Sequence, residues 1–241
     1  MTRILLAAAL AALLAAPASA AAPPLAAKAV ADPTRPKEDR AADSLRKPAE
    51  TLTFAGLRPG MTVGELFPGS GYFTRLIADV VGPTGHIYAM ENAKWAAKNF
   101  LAERVRPNVS FEAKPFGQFA LPDPVDLIWV TQNYHDLKIA EYGAVDTADF
   151  NRRVFAALKP GGTYFILDHE APRGTTTEAI AKIHRIEKAQ VIREVEAAGF
   201  KLAAQGAFLH RPEDDHTRSI FDKAIQGRTD QYALRFVKPA R

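Results

Sequence analysis

The sequence of 241 residues contains no cysteine. It therefore offers no disulfide framework, no Cys-x-x-Cys metal site and no attachment point for a lipoprotein anchor. The excess of charge of one sign is also small. The chain has 31 Lys and Arg and 27 Asp and Glu, a formal net charge of +4, and the basic residues form no block. A nucleic-acid-binding protein usually carries a clustered basic footprint, so we expect no nucleic-acid partner.

Long apolar runs are absent except at the N-terminus. Arg3 precedes an unbroken run of Ala, Leu and Ile at residues 4–16, and Ala-Ser-Ala follows at residues 18–20. This is the order of a signal peptide with its small-x-small cleavage site. The run is shorter than the roughly 20 apolar residues that cross a bilayer. We predict a cleavable signal peptide over residues 1–20, an exported, periplasmic protein and no membrane attachment after cleavage. The alternative is an Ala-rich helix that stays on the protein.

The rest of the chain divides into two parts. Residues 21–46 are rich in Ala, Pro and charge and lack a sustained apolar period, which is typical of a flexible lead-in. Residues 47–241 have the size of one ordinary domain, in which strand-like runs alternate with helix-like segments. Seven strands are predicted, and the last two, at residues 200–208 and 231–237, leave no room for a helical crossover. The predicted fold is α/β, a doubly wound, mostly parallel seven-stranded sheet with an antiparallel last strand.

A glycine-rich turn links the first predicted strand to the helix at residues 72–81. Its sequence at residues 65–71 is Glu-Leu-Phe-Pro-Gly-Ser-Gly. Paired glycines let the backbone pass close to a ligand, and the following helix presents free N–H groups there. Glu65 is an acid in an apolar run, where burial without a partner is costly. A bound cation or ammonium group would satisfy it, and a local salt bridge is the alternative.

The turn departs from the dinucleotide fingerprint G-x-G-x-x-G, because Thr74 stands where the third glycine is required. A ligand without phosphates is therefore favoured. Glu91 ends the second predicted strand, where an acid is suited to accept hydrogen bonds from both hydroxyls of a ribose. The alternative is that Glu91 only places a favourable charge at the start of the next helix.

Polar residues follow the fourth and fifth predicted strands. Asn-Tyr-His-Asp stands at residues 133–136 and Asp-His at residues 168–169, while His184 lies in a helical stretch predicted to reach residue 198. Ligands of open α/β sheets bind outside the carboxyl ends of the strands. We predict that His135, Asp136 and His184 are catalytic, with a histidine as general base. Structural hydrogen bonding and metal coordination are the alternatives, and we expect no metal because no recognised ligand spacing is present.

Four motifs, ELFPGSG, IYAMEN, VDLIWVTQNYHD and LKPGGTYFILDH, resemble successive motifs of class I S-adenosylmethionine-dependent methyltransferases. The resemblance runs from about residue 48 to the C-terminus and is greatest to an exported bacterial subgroup of predicted methyltransferases. It implies a Rossmann-like fold and S-adenosylmethionine as cofactor. It also implies cofactor-binding roles for Glu65, Phe67, Gly69, Gly71, Glu91 and Asn133. Of these, Glu65, Gly69 and Gly71 would lie around the amino-acid end, Glu91 at the ribose and Asn133 at the methionine side. The family often has an acid near the adenine after the third strand, where this chain instead offers Phe116 as a stacking partner.

The sequence thus predicts a methyltransferase acting on a small-molecule or otherwise unknown acceptor. One alternative is an exported binding protein that keeps the fold without turnover, because the methyl donor is made in the cytoplasm. Another is a nicotinamide-dependent oxidoreductase, which the missing third glycine disfavours.

Overall fold

The computed structural model describes residues 24–99, 106–115, 117–143 and 145–240. The predicted signal peptide and Phe116 lie outside these residues. Within the described ranges, no helix is long and apolar enough to span a membrane.

Seven strands form a single sheet. They are β1 (Thr62–Leu66), β2 (His86–Asn92), β3 (Val109–Lys114), β4 (Val125–Thr131), β5 (Leu158–His169), β6 (Lys201–Gly206) and β7 (Gln231–Val237). Their spatial order is β3-β2-β1-β4-β5-β7-β6. Strands β1 to β5 pair in parallel, and β7 runs antiparallel to both β5 and β6. The predicted fold class, with its antiparallel last strand, is confirmed.

Eight helices accompany the sheet in the described residues. They are α1 (Pro24–Ala31), α2 (Lys37–Arg46), α3 (Pro48–Ala55), α4 (Tyr72–Val81), α5 (Ala93–Asn99), α6 (Thr147–Ala157), α7 (Thr177–Ile183) and α8 (Lys188–Ala197). Two of them begin at side-chain caps. The Asp146 carboxylate accepts the N–H groups of Ala148 and Asp149 at α6, and the Thr176 hydroxyl accepts that of Ala179 at α7.

The core lies on both faces of the sheet. Along β4, Leu127 and Trp129 pack into one hydrophobic cluster, whereas Ile128 and Val130 pack into the other. This alternation follows from the two-residue period of a strand, and burial of both faces explains why the strand reads as a continuous apolar run.

The N-terminal region differs from the flexible lead-in expected over residues 21–46, because residues 24–46 contain helices α1 and α2. Ala26 and Ala29 of α1 are buried in the cluster that contains Leu52. Asp39 of α2 is buried and pairs with Arg75 of α4 at 2.7 Å. Small alanines spaced three apart and a buried ion pair hold this segment on the domain, although its composition is that of a linker.

The helical stretch predicted to reach residue 198 is two helices, α7 and α8. His184 ends α7 in a left-handed conformation (φ 53°). The next residue, Arg185, is fully buried, pairs with Asp214 at 2.8 Å and donates to the backbone oxygens of Glu170 and Arg218. A buried guanidinium needs several hydrogen-bond acceptors. Because these acceptors lie inside the domain, the chain bends inward at Arg185 and the predicted continuous helix is interrupted there.

Candidate active site

A cavity of about 360 Å³ lies at the carboxyl ends of β1, β4 and β5. The strand order reverses between β1 and β4, with β2 on one side and β5 on the other, and such a reversal opens a crevice where open α/β sheets bind ligands. The volume falls within the range of roughly 300–1,000 Å³ that is usual for small-molecule sites.

The glycine-rich turn forms one wall of the cavity. Phe67 (φ 64°) and Gly69 (φ 57°) both have left-handed backbone conformations and line the space, and Gly71 (φ 78°) is the N-cap of α4. A bulky residue rarely adopts a positive φ, so Phe67 marks a strained position of the kind that collects at functional sites. A Cβ added at Gly69 would meet no other atom within 4 Å, so this backbone borders open space.

Glu65 is buried at the end of β1, with 1% of its surface exposed. The Thr74 hydroxyl faces it, and among the described residues neither this hydroxyl nor the Oε2 atom of Glu65 is bonded to any further group. The local salt bridge considered from the sequence is absent among the described residues, because the neighbouring Arg75 pairs with Asp39. Burial, reinforced by the nearby carboxylate of Glu91, raises the pKa of Glu65 to about 8. The group is thus a buried carboxyl at the cavity wall that has a hydroxyl neighbour but no ion-pair partner.

Glu91 binds two backbone N–H groups beside the glycine-rich turn, and its role at the ribose stays a prediction. Its Oε2 accepts the Gly69 N–H at 2.9 Å and its Oε1 accepts the Asn92 N–H at 2.7 Å. The side chain lies behind the turn rather than on the cavity wall, and the space beside it measures only about 10 Å³. In this structure Glu91 holds the glycine-rich turn against the end of β2.

The three residues predicted to be catalytic meet on the opposite wall. His135 and Asp136 lie on a 3₁₀ turn, His135–Lys138, just after β4, and His184 approaches from the end of α7. The Oδ1 atom of Asp136 lies 3.1 Å from His135 Nε2 and 3.3 Å from His184 Nδ1. Asn133 also lines the cavity and donates its amide to Asp136 Oδ2 at 2.8 Å.

The His135 ring sits between two carboxylates. Its Nδ1–H donates to Asp168 Oδ1 at 2.7 Å, and its backbone N–H donates to Asp168 Oδ2 at 2.9 Å. Burial disfavours a charged ring, but Asp168 and Asp136 together raise the pKa of His135 to about 10. An imidazolium donates hydrogen bonds and accepts none. This environment does not suit the general-base role predicted for His135 at neutral pH.

Arg46, at the end of α2, is a cavity residue that the sequence reasoning missed. Its guanidinium lies 4.5 Å from the ring centroid of Tyr72 and donates to Gln132 Oε1 at 3.3 Å. It forms no ion pair with any described carboxylate, and burial lowers its pKa. The sequence assigned Arg46 to a linker, and only its position next to the first core helix could have suggested otherwise.

Aromatic side chains close the rest of the cavity. Trp95 packs edge-on against Tyr142, with ring centroids 4.8 Å apart, and Phe221 packs against His184 at the same centroid distance. Phe221 belongs to the polar segment between β6 and β7 and is 57% exposed. An apolar rim therefore borders the histidine side of the cavity.

Comparisons with known proteins bear on the fold that holds this cavity. The ubiquinone/menaquinone biosynthesis C-methyltransferase UbiE of Ectopseudomonas mendocina is 28% identical over 129 residues, covering 51% of this chain and 47% of that protein. A SAM-dependent methyltransferase from Aquifex aeolicus superposes with a TM-score of 0.55 at 18% identity, covering 81% of this chain and 97% of that one.

The chain has the class I methyltransferase fold. Fibrillarin of Aeropyrum pernix, solved with natively bound S-adenosyl-L-methionine, shares the fold at a TM-score of 0.53 and 19% identity, covering 81% of this chain and 76% of that one. No family model matches the sequence. The chain spans about half the length of the curated relatives it matches first.

Within this fold, four of the six predicted cofactor-binding residues line the cavity: Glu65, Phe67, Gly69 and Asn133. Gly71 begins α4 beside them, and Glu91 lies behind the turn. The two groups of predicted site residues therefore share one cavity, with the turn on one side and the histidines on the other.

Proposed function

We propose that this protein is an S-adenosylmethionine-dependent methyltransferase acting on an acceptor of unknown class. One observation carries the proposal. Among the described residues, the cavity is lined by a buried carboxyl without an ion-pair partner, on Glu65, and by a largely desolvated guanidinium without a carboxylate, on Arg46. The amino-acid end of the cofactor carries one ammonium and one carboxylate, the complementary pair of charges.

When bound, S-adenosylmethionine supplies an electrophilic methyl group on a sulfonium. Glu65 would bind the ammonium and Arg46 the carboxylate, while the backbone at Gly69 allows close approach. Asn133 would hold the methionine side next to Asp136. Glu91 would act mainly by fixing the turn, with contact to the ribose once the narrow space beside Phe67 opens.

The opposite wall would receive the acceptor. The lone pair of the acceptor atom would form the new bond to the methyl carbon, the carbon–sulfur bond would break with its electron pair leaving on sulfur, and the proton of the acceptor atom would leave to solvent. His135, Asp136 and His184 would contact and orient the acceptor, and the aromatic rim would exclude water from it. The protein contributes chiefly alignment of the two reactants, which is a large share of catalysis in such a displacement.

Export is part of the same proposal. The apolar run at residues 4–16 and the Ala-Ser-Ala motif at 18–20 support a signal peptide cleaved after Ala20. Mass spectrometry of the protein from its native host should find a chain beginning at Ala21. Recovery of a chain that retains Met1 would contradict it.

Two substitutions test the donor site. Glu65→Gln and Arg46→Ala each remove one charged partner, and loss of a charged hydrogen bond costs about 1.5–3 kcal/mol. Calorimetric titration with S-adenosylhomocysteine should therefore show roughly ten- to hundredfold weaker binding for each variant.

Matched controls are Glu196→Gln and Arg58→Ala, which change exposed residues of the same types. Both controls should bind like the unmodified protein. Unchanged affinity in both test variants, at an unchanged melting temperature, would remove Glu65 and Arg46 from the donor site.

A further inference from the structure

We propose that His135, Asp136 and His184 form a site for one divalent transition-metal ion on the acceptor side of the cavity. His135 Nε2, Asp136 Oδ1 and His184 Nδ1 all lie within 4.8 Å of one another. The three side chains line the same cavity. Ligand spacing in the sequence gave no indication of such a site, because the fold brings His184 from a distant part of the chain.

The central carboxylate oxygen is the strongest indication. Asp136 is 4% exposed, and its Oδ1 is shared by two imidazoles, 3.1 Å from His135 Nε2 and 3.3 Å from His184 Nδ1. A divalent cation bound by all three atoms would replace the proton that His135 Nε2 shares with this oxygen, and that proton would leave to solvent.

The spacing of the ligand atoms suits a small metal ion. Ligands about 2.0–2.1 Å from a tetrahedral ion stand roughly 3.3 Å from one another. Both nitrogen-to-oxygen separations in the cluster are already close to that value. A small adjustment of His184, which ends α7 with φ 53°, would complete the geometry.

Supporting contacts around the cluster have the form found at metal sites. The Nδ1 of His135 is bound to Asp168 Oδ1 at 2.7 Å, which directs Nε2 toward Asp136. The second oxygen of Asp136 accepts the Asn133 amide at 2.8 Å. Metal-bound histidines commonly donate their other ring nitrogen to a carboxylate, and metal-bound carboxylates are themselves hydrogen-bonded.

The ligand set selects the kind of metal and the chemistry. Two imidazoles and one carboxylate favour ions such as Zn²⁺ or Fe²⁺ over Mg²⁺ and Ca²⁺, and three protein ligands leave coordination positions open. The role of the metal rests on the proposed function. An acceptor oxygen, nitrogen or sulfur bound to the ion would have a lowered pKa. Its proton would then pass to solvent before the methyl group is transferred.

The test is calorimetric titration of the full chain with Zn²⁺ after treatment with a chelator, and with Co²⁺ as a spectroscopic probe. We expect one ion per chain and a visible Co²⁺ spectrum. His184→Gln and Asp136→Asn should each weaken binding at least tenfold, while His210→Gln, which changes an exposed histidine paired with Asp230, should leave it unchanged. Circular dichroism of each variant confirms that it is folded.

The inference is overturned if no saturable binding of one ion occurs, or if His184→Gln binds the ion as tightly as the unmodified chain. Equal loss of binding in His210→Gln would overturn it too. Titration of the metal-free chain with S-adenosylhomocysteine separates this inference from the proposed function. Binding of S-adenosylhomocysteine without any metal binding overturns only the metal site, whereas metal binding without S-adenosylhomocysteine binding supports the metal site and overturns the donor site.

Discussion

Glu65 is the titratable group on which the charge of the proposed donor site depends. The Thr74 hydroxyl and Arg75 of α4 and the Glu91 carboxylate of β2 all face it, and Arg46 shares the cavity wall. Burial and Glu91 raise its pKa to about 8, against the partial opposition of Thr74 and Arg75. At neutral pH the group is therefore mostly uncharged until a cation arrives.

This raised pKa predicts proton release when the donor binds. An ammonium favours the ionised form of Glu65, so binding below pH 8 must expel its proton. Affinity should rise with pH between about 6 and 8, by at most about tenfold per unit, and level off above pH 8. Calorimetry of S-adenosylhomocysteine in buffers with different heats of ionisation measures the released proton directly.

Glu65→Gln is the control for that experiment, because an amide has no proton to release. The variant should show no buffer-dependent heat in this pH range. Equal proton release from the variant and the unmodified protein would assign the proton to another group.

The sequence indicated some of the individual cavity residues and missed others. Glu65, Asn133 and His135 stand at or just beyond the ends of buried strands, and a parallel sheet brings such ends to one edge. Arg46 was missed because its helix lies outside the alternating pattern and reaches the cavity only through tertiary packing. The sequence predicted that Glu91 ends the second strand. It did not predict the direction of the side chain, because that depends on a hydrogen bond from the Gly69 N–H, which the sequence pattern does not encode.

The glycine-rich turn is the element on which the donor site depends, and Glu91 anchors it. Glu91→Ala leaves the N–H groups of Gly69 and Asn92 without their acceptor. Unsatisfied buried donors cost about 1–3 kcal/mol, so the melting temperature should fall together with the affinity for S-adenosylhomocysteine. Thermal unfolding and calorimetry of the same sample measure both. A large loss of affinity at an unchanged melting temperature would instead identify Glu91 as a direct ligand.

Elements with clear periodicity were predicted closely. Helix α4 and strand β7 have the predicted bounds, because an apolar helical face and a compact apolar run each dominate their local sequence. Helices α7 and α8 were predicted as one helix, since the period continues through both. Their interruption comes from burial of Arg185 against Asp214, a long-range contact that local pattern does not encode.

Over the whole molecule, strand order and helix placement put the donor and acceptor walls at one point of the sheet. The reversal between β1 and β4 creates the crevice, and α2 adds Arg46 to its rim. The order of apolar runs was enough to predict a mostly parallel seven-stranded sheet with an antiparallel last strand, but it did not give the spatial order of the strands. The packing of α1 and α2 was not predictable, because their alanine and charged residues also suit a mobile segment.

The central claim is that this cavity binds the methyl donor and not a dinucleotide. Calorimetric titration of the purified protein with S-adenosylmethionine, S-adenosylhomocysteine and NAD tests it most directly. The account predicts saturable binding of the first two at one molecule per chain, and no binding of NAD at the same concentrations, because Thr74 replaces the third glycine of the dinucleotide fingerprint. Saturable binding of NAD, or failure of the folded protein to bind either sulfur compound, would contradict it.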